Sequence, residues 1–100
     1  MANTLVSIQI IPKTPNGEDV IPFVDAAIEV IQSAGVKYKV GPLETTMEGD
    51  IHELLLVVAK MNQRMFELGC PSNISQVKIY SRADDEASMS DLTAKYDGYH

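Results

Sequence analysis

The sequence predicts an α+β domain in which an antiparallel sheet of four strands carries two helices on one of its faces. Three observations lead there. Apolar residues recur with period two in four short stretches and with the helical period in two longer ones, in the order strand, helix, strand, strand, helix, strand. Gly35 and Gly69 stand where the two helical stretches run out. The chain has 100 residues, one domain's worth, and at that size folding removes roughly 60–65% of the unfolded surface from water. A single modest core is therefore feasible without disulfides.

The first strand runs from Leu5 to Ile11. Val6, Ile8 and Ile10 share one face and should be core, while Leu5, Ser7, Gln9 and Ile11 share the other. Pro12 to Gly17 holds two prolines and an Asn-Gly pair, the chemistry of a loop. A helix follows, with Asp19 as a candidate cap, Pro22 tolerable in the first turn, and an apolar stripe of Val20, Val24, Ala27, Ile28 and Ile31. In the next strand, Val36, Tyr38 and Val40 alternate with Lys37 and Lys39 until Gly41-Pro42 interrupts it. Thr45 to Glu48 forms the third strand, with Thr46 and Glu48 pointing to the same side as Glu44, and Leu43, Thr45 and Met47 pointing to the other. Gly49 frees the chain to turn, and Asp50 with Glu53 three residues later is the pattern that satisfies orphan amides at a helix start. The second helix should reach about Leu68, burying Ile51, Leu54, Leu55, Val58, Met61, Met65 and Leu68. The methionines fit a core stripe. Pro71-Ser72-Asn73 turns the chain into a last strand, Ile74 to Arg82, rich in Val77, Ile79 and Tyr80. The domain should span residues 1–83. Residues 84–100 read as an acidic C-terminal tail with little to bury and at most a short helix near Ser90–Lys95.

This order of elements is the ferredoxin-like βαββαβ sandwich. In that topology the first and third strands are central neighbours, so Ser7 and Gln9 should lie beside Thr46 and Glu48. The result is a polar patch in the middle of the sheet face that has no helices. Leu5, Ile11 and Tyr80 should share that face, and such a surface usually becomes an oligomer interface, a ligand site or both.

Composition removes several function classes. The formal charge is −6 and the eight basic residues are scattered, which argues against a nucleic-acid footprint. No apolar run approaches the ~20 residues needed to span a bilayer. Met1-Ala2-Asn3-Thr4 lacks a basic segment followed by an apolar one, so a cytoplasmic, unexported protein is expected. The one cysteine, Cys70, has no partner within the chain and no metal-ligand spacing around it. There is no phosphate loop, zinc spacing, nucleophile elbow or calcium loop. His52 opens a helix and His100 is terminal, and neither is placed by this order of elements beside a nucleophile. Glu48 alone could act as a base, but one carboxylate does not define a reaction. Binding is expected, not catalysis, with no cofactor or metal.

The opening Val6-Ser7-Ile8-Gln9-Ile10-Ile11-Pro12, the segment Tyr38-Lys39-Val40-Gly41-Pro42-Leu43, the run Thr45-Thr46-Met47-Glu48-Gly49-Asp50 and the closing Val77-Lys78-Ile79 together resemble the small YkoF-like thiamine-binding proteins. The resemblance covers roughly residues 4–82, and its most specific element is Gly-Pro-Leu-x-Thr-Thr-x-Glu-Gly-Asp between two strands and a helix. It implies a ferredoxin-like subunit that assembles into a dimer or tetramer and binds thiamine, or its hydroxymethylpyrimidine moiety, without turnover. Thiamine carries a thiazolium cation that a carboxylate such as Glu48 could stabilise. Its aminopyrimidine needs the donors and acceptors that Ser7, Gln9 and the Thr45–Thr46 pair could offer. Those five are the candidate ligand-binding residues, with Tyr38, Tyr80 and Phe23 as aromatic candidates. A regulatory or assembly module whose open sheet binds only another protein is the alternative. A cofactor-free enzyme is weaker, because no acid and base are paired.

Overall fold

The computed structural model describes residues 3–83 and 89–93, apart from the side chains of Ser90 and Asp91. Its elements are β1 (Thr4–Lys13), a 3-10 turn (Pro15–Gly17), α1 (Ile21–Ala34), β2 (Lys37–Val40), β3 (Thr45–Gly49), α2 (Ile51–Glu67), β4 (Ser72–Ser81) and α3 (Met89–Thr93). The sheet order is β2-β3-β1-β4 with every pairing antiparallel. This is the expected ferredoxin-like α+β fold, with β1 and β3 at the centre.

Local chemistry explains the boundaries. Asn16 and Gly17 adopt positive φ of 55° and 70° in the turn after β1, conformations that Asn and Gly reach most readily. Asp19 Oδ1 accepts the Ile21 amide at 3.1 Å, so it serves the start of α1 from one residue before Val20. Asp50 Oδ2 accepts both the His52 and Glu53 amides, at 3.0 and 3.2 Å, and so caps α2. Gly35 closes α1 in the left-handed region, at φ 74°.

The core lies between the helix pair and one sheet face. Val6, Ile8, Ile10 and Met47 of the sheet meet Phe23, Ala27 and Ile31 of α1 and Leu54, Val57, Met61 and Met65 of α2. Cys70 is buried with them as a free thiol. Burying each large side chain contributes about 1.5–3 kcal/mol, and the Phe23–Ala27–Ile31 spacing of four keeps the α1 stripe on one face. Both helices depart from the expected stripes: in α1 Phe23 is buried while Val20, at its N-cap, is 39% exposed, and α2 differs at two positions. Leu55 is 39% exposed and Val57 only 4%, because the apolar run from 54 to 58 covers more than one helix face and packing chooses the one that continues to Met61. Phe23 belongs to the core and is thereby removed from the aromatic ligand candidates.

The face away from α1 and α2 is less open than expected. Ile11 and Tyr80 are exposed there, but Leu5 is only 8% exposed, because α3 sits over this face. The Met89 amide donates to Glu48 Oε1 at 2.8 Å. β4, at the outer edge, exposes Ile74, Val77, Ile79 and Tyr80.

Candidate functional site

The site is assembled where β2, β3, the turn between them and α3 converge. The turn is held by the Gly41 amide donating to the Glu44 carbonyl at 2.9 Å. Gly41 is required there by space: a Cβ on it would lie 2.8 Å from the Glu44 carbonyl oxygen. Closing the turn this tightly brings Leu43 and Glu44 back over the sheet.

Between this turn and α3 lies a cavity of about 620 Å³. Its sheet side carries Leu5, Lys37, Lys39 and Thr46, its turn side Leu43 and Glu44, and its α3 side Met89 and Leu92. The strand register produces this grouping. Ser7 is opposite Thr46, Leu5 opposite Glu48, and Lys37 and Lys39 opposite Glu48 and Thr46, and residues directly opposite share a face.

Among the described side chains, the two carboxylates near the cavity, Glu44 and Glu48, are already engaged. Glu48 accepts the Met89 amide through Oε1 and pairs with Lys37 Nζ at 3.4 Å through Oε2, with only 11% of its side chain exposed. Glu44 Oε1 pairs with Lys78 Nζ at 3.4 Å. The Ser7 hydroxyl beside it and then Lys78 hold the Glu44 carboxyl below the usual carboxylate range, so it is ionised at neutral pH. Ser7 Oγ itself is buried and closes no hydrogen bond of good geometry.

The expected site residues separate accordingly. Thr46 is on the cavity wall. Ser7 is its cross-strand neighbour on the same face. Gln9 lies further along β1 opposite Gln76, outside the cavity wall. Thr45 is buried at 6% exposure, opposite Ile8 on the helix-facing side, so it does not share the face of Thr46. Glu48 is next to the cavity but turned to Lys37 and Met89, which leaves Glu44 as the carboxylate on the wall. Tyr38 packs against the core and also lines the cavity, and Tyr80 is exposed on β4 opposite Leu5.

Sequence reasoning passed over Lys37, Lys39, Leu43, Met89 and Leu92. The lysines were readable, since their spacing of two on a strand next to Thr46 already put them on one face. Met89 and Leu92 were not, because they fall in a stretch of weak periodicity. Among the described residues no group of His, Cys, Asp and Glu is placed to hold a metal ion, and no helix is long and apolar enough to cross a membrane.

Comparison with known proteins gives consistent relatives. The sequence model of a family described as thiamine-binding protein matches residues 6–97. A UPF0045 protein of Clostridium perfringens is 42% identical over 92 residues, covering 91% of this chain and 94% of that protein. The structure of a domain of unknown function, DUF77, from Bacillus cereus superposes with a TM-score of 0.88 at 35% identity, covering 99% of this chain and 96% of that one. A Thermotoga maritima protein proposed to act in thiamine biosynthesis or salvage superposes with a TM-score of 0.83 at 30% identity, over 94% of this chain and 98% of that one.

Proposed function

The chain belongs to the thiamine-binding protein family, and from that premise we propose that it binds thiamine, or its hydroxymethylpyrimidine moiety, in the cavity between the β2–β3 turn and α3. The observation that carries this is the cavity itself. At about 620 Å³ it has the size of a small-molecule site, and it combines apolar walls from Leu5, Leu43, Met89 and Leu92 with a few polar groups, among them Thr46 and Glu44. A flat heteroaromatic ring can bury its faces against the apolar walls while its edge meets the hydroxyl and the carboxylate. The buried Ser7 Oγ, cross-strand neighbour of Thr46 and next to the Glu44 carboxylate, adds a further hydroxyl to the polar side of the site.

The role is non-catalytic binding, for salvage, transport or buffering in the cytoplasm. Among the described residues of the cavity wall no acid and base are paired, and the Glu44 carboxylate is held by Lys78. The subunit forms a dimer or tetramer, supported by the exposed Ile74, Val77, Ile79 and Tyr80 on an edge strand, since unpaired edges of this kind invite a second chain. That same edge favours the second reading, a module that only mediates assembly.

A thermal denaturation series with thiamine separates the two readings. Ligand at a hundredfold excess over its dissociation constant should stabilise the fold by about 2.7 kcal/mol, and small molecules retained on the purified protein should include an aminopyrimidine. An unchanged melting temperature with thiamine and with the free pyrimidine would overturn the ligand reading and leave assembly as the function.

A further inference from the structure

We infer that the ligand this cavity takes carries a phosphate ester, held by Lys39 with Lys37 on the β2 side of the wall. The inference rests on the reading of the cavity as a thiamine or pyrimidine site and names the chemical form of the ligand. It starts from the charge left over. The two lysines are two residues apart on β2 and both line the cavity. Lys37 is shared with Glu48, whereas Lys39 has no acidic partner among the described residues. Glu44, on the same wall, is matched by Lys78. Among the described side chains around the cavity, Lys37, Lys39 and Lys78 stand against Glu44 and Glu48, on a chain whose overall charge is −6. Among those described side chains, the Lys39 ammonium is the charge left over.

That surplus fits an anion better than a bare thiazolium. A cation turning to Glu44 or Glu48 finds each already paired and must compete with Lys78 or Lys37 for it. A phosphate monoester brings about −1.5 to −2 charges at pH 7 and three acceptor oxygens. A lysine ammonium is a mobile point charge with three donors that can follow such a group, and hydrogen bonds between ionised partners are about twice as strong as neutral ones. The neighbouring Thr46 hydroxyl can donate to the same group. The ring system would occupy the apolar side, between Leu5, Leu43 and Leu92, with the ester pointing to β2.

Calorimetry at fixed ionic strength with thiamine, thiamine monophosphate and inorganic phosphate tests this, on the parent protein and on Lys39→Met and Lys13→Met. The ester is expected to bind about ten- to a hundredfold more tightly than thiamine, with inorganic phosphate far weaker than either. Lys39→Met should bring that preference close to one. Lys13→Met, which removes the same charge at the far end of β1, should retain it. Equal affinity of the parent for thiamine and its monophosphate overturns the phosphate assignment and leaves the thiamine reading standing. A preference that survives Lys39→Met overturns the role of Lys39. Failure of all three ligands to bind overturns both the assignment and the reading beneath it.

Discussion

Replacing Gly41 by alanine should weaken ligand binding while leaving the fold almost as stable as before. The added Cβ would sit 2.8 Å from the Glu44 carbonyl oxygen, against an ordinary carbon–oxygen contact of ~3.3 Å or more, so the turn must open by about half an ångström. That displacement lengthens the Gly41 N–H to Glu44 O bond from 2.9 Å to about 3.4 Å, past the ~2.7–3.2 Å of a good hydrogen bond, at a cost of up to about 1 kcal/mol. Alanine also restricts the unfolded chain, which returns about 0.4–1 kcal/mol. The two effects nearly cancel in stability. They do not cancel in binding, because Leu43 and Glu44 move away from the cavity. Loss of one hydrogen bond to the Glu44 carboxylate is ~1.5 kcal/mol, or about tenfold in Kd. Gly35→Ala provides the contrast. Nothing lies within 4 Å of its Cβ position, but its φ is +74°, so alanine there is strained by about 1 kcal/mol. Its melting temperature should fall by about 4–8 °C with affinity unchanged. Thermal denaturation and thiamine titration of both variants decide the matter. If Gly41→Ala binds thiamine as tightly as the parent, the turn does not shape the site and the reasoning fails.

Leu54 and Leu55 offer a test of the helix phase by urea denaturation: Leu54→Ala, at a fully buried position, should cost about 3 kcal/mol or more, whereas Leu55→Ala, at 39% exposure, should cost less than about 1 kcal/mol. Equal losses would place Leu55 in the core after all. Removing residues 84–100 should leave the four-stranded fold and its two helices intact, since none of the core side chains comes from beyond Cys70. The same truncation takes away Met89 and Leu92 from the cavity wall, so thiamine affinity should drop at least several-fold in calorimetry; undiminished affinity would mean that α3 has no part in the site.

The fold was legible because its determinants are local. Period-two alternation in Leu5 to Ile11, the Asp50 cap, and glycines at 35 and 69 each act through a few neighbouring residues, and their order admits few topologies. The pairing of Ser7 with Thr46 followed from that topology, since strand register is settled once one face must be buried. Other features depended on contacts between segments far apart in sequence. The run Leu54-Leu55-Leu56-Val57-Val58 is apolar all the way round, so only the position of the sheet and α1 selects Leu54 and Val57 for the core. Thr45 and Thr46 are chemically alike, and the pleat alone separates a buried, helix-facing threonine from one on the cavity wall. Glu48 looked like a free carboxylate for a cation because the amide of Met89 is 41 residues away and Lys37 lies on another strand. The weakly periodic stretch around Met89 holds too few apolar residues to show where its short helix packs, yet packing it against Leu5 encloses the cavity. Local propensity wrote the framework; long-range packing chose which of its polar residues are left for a ligand.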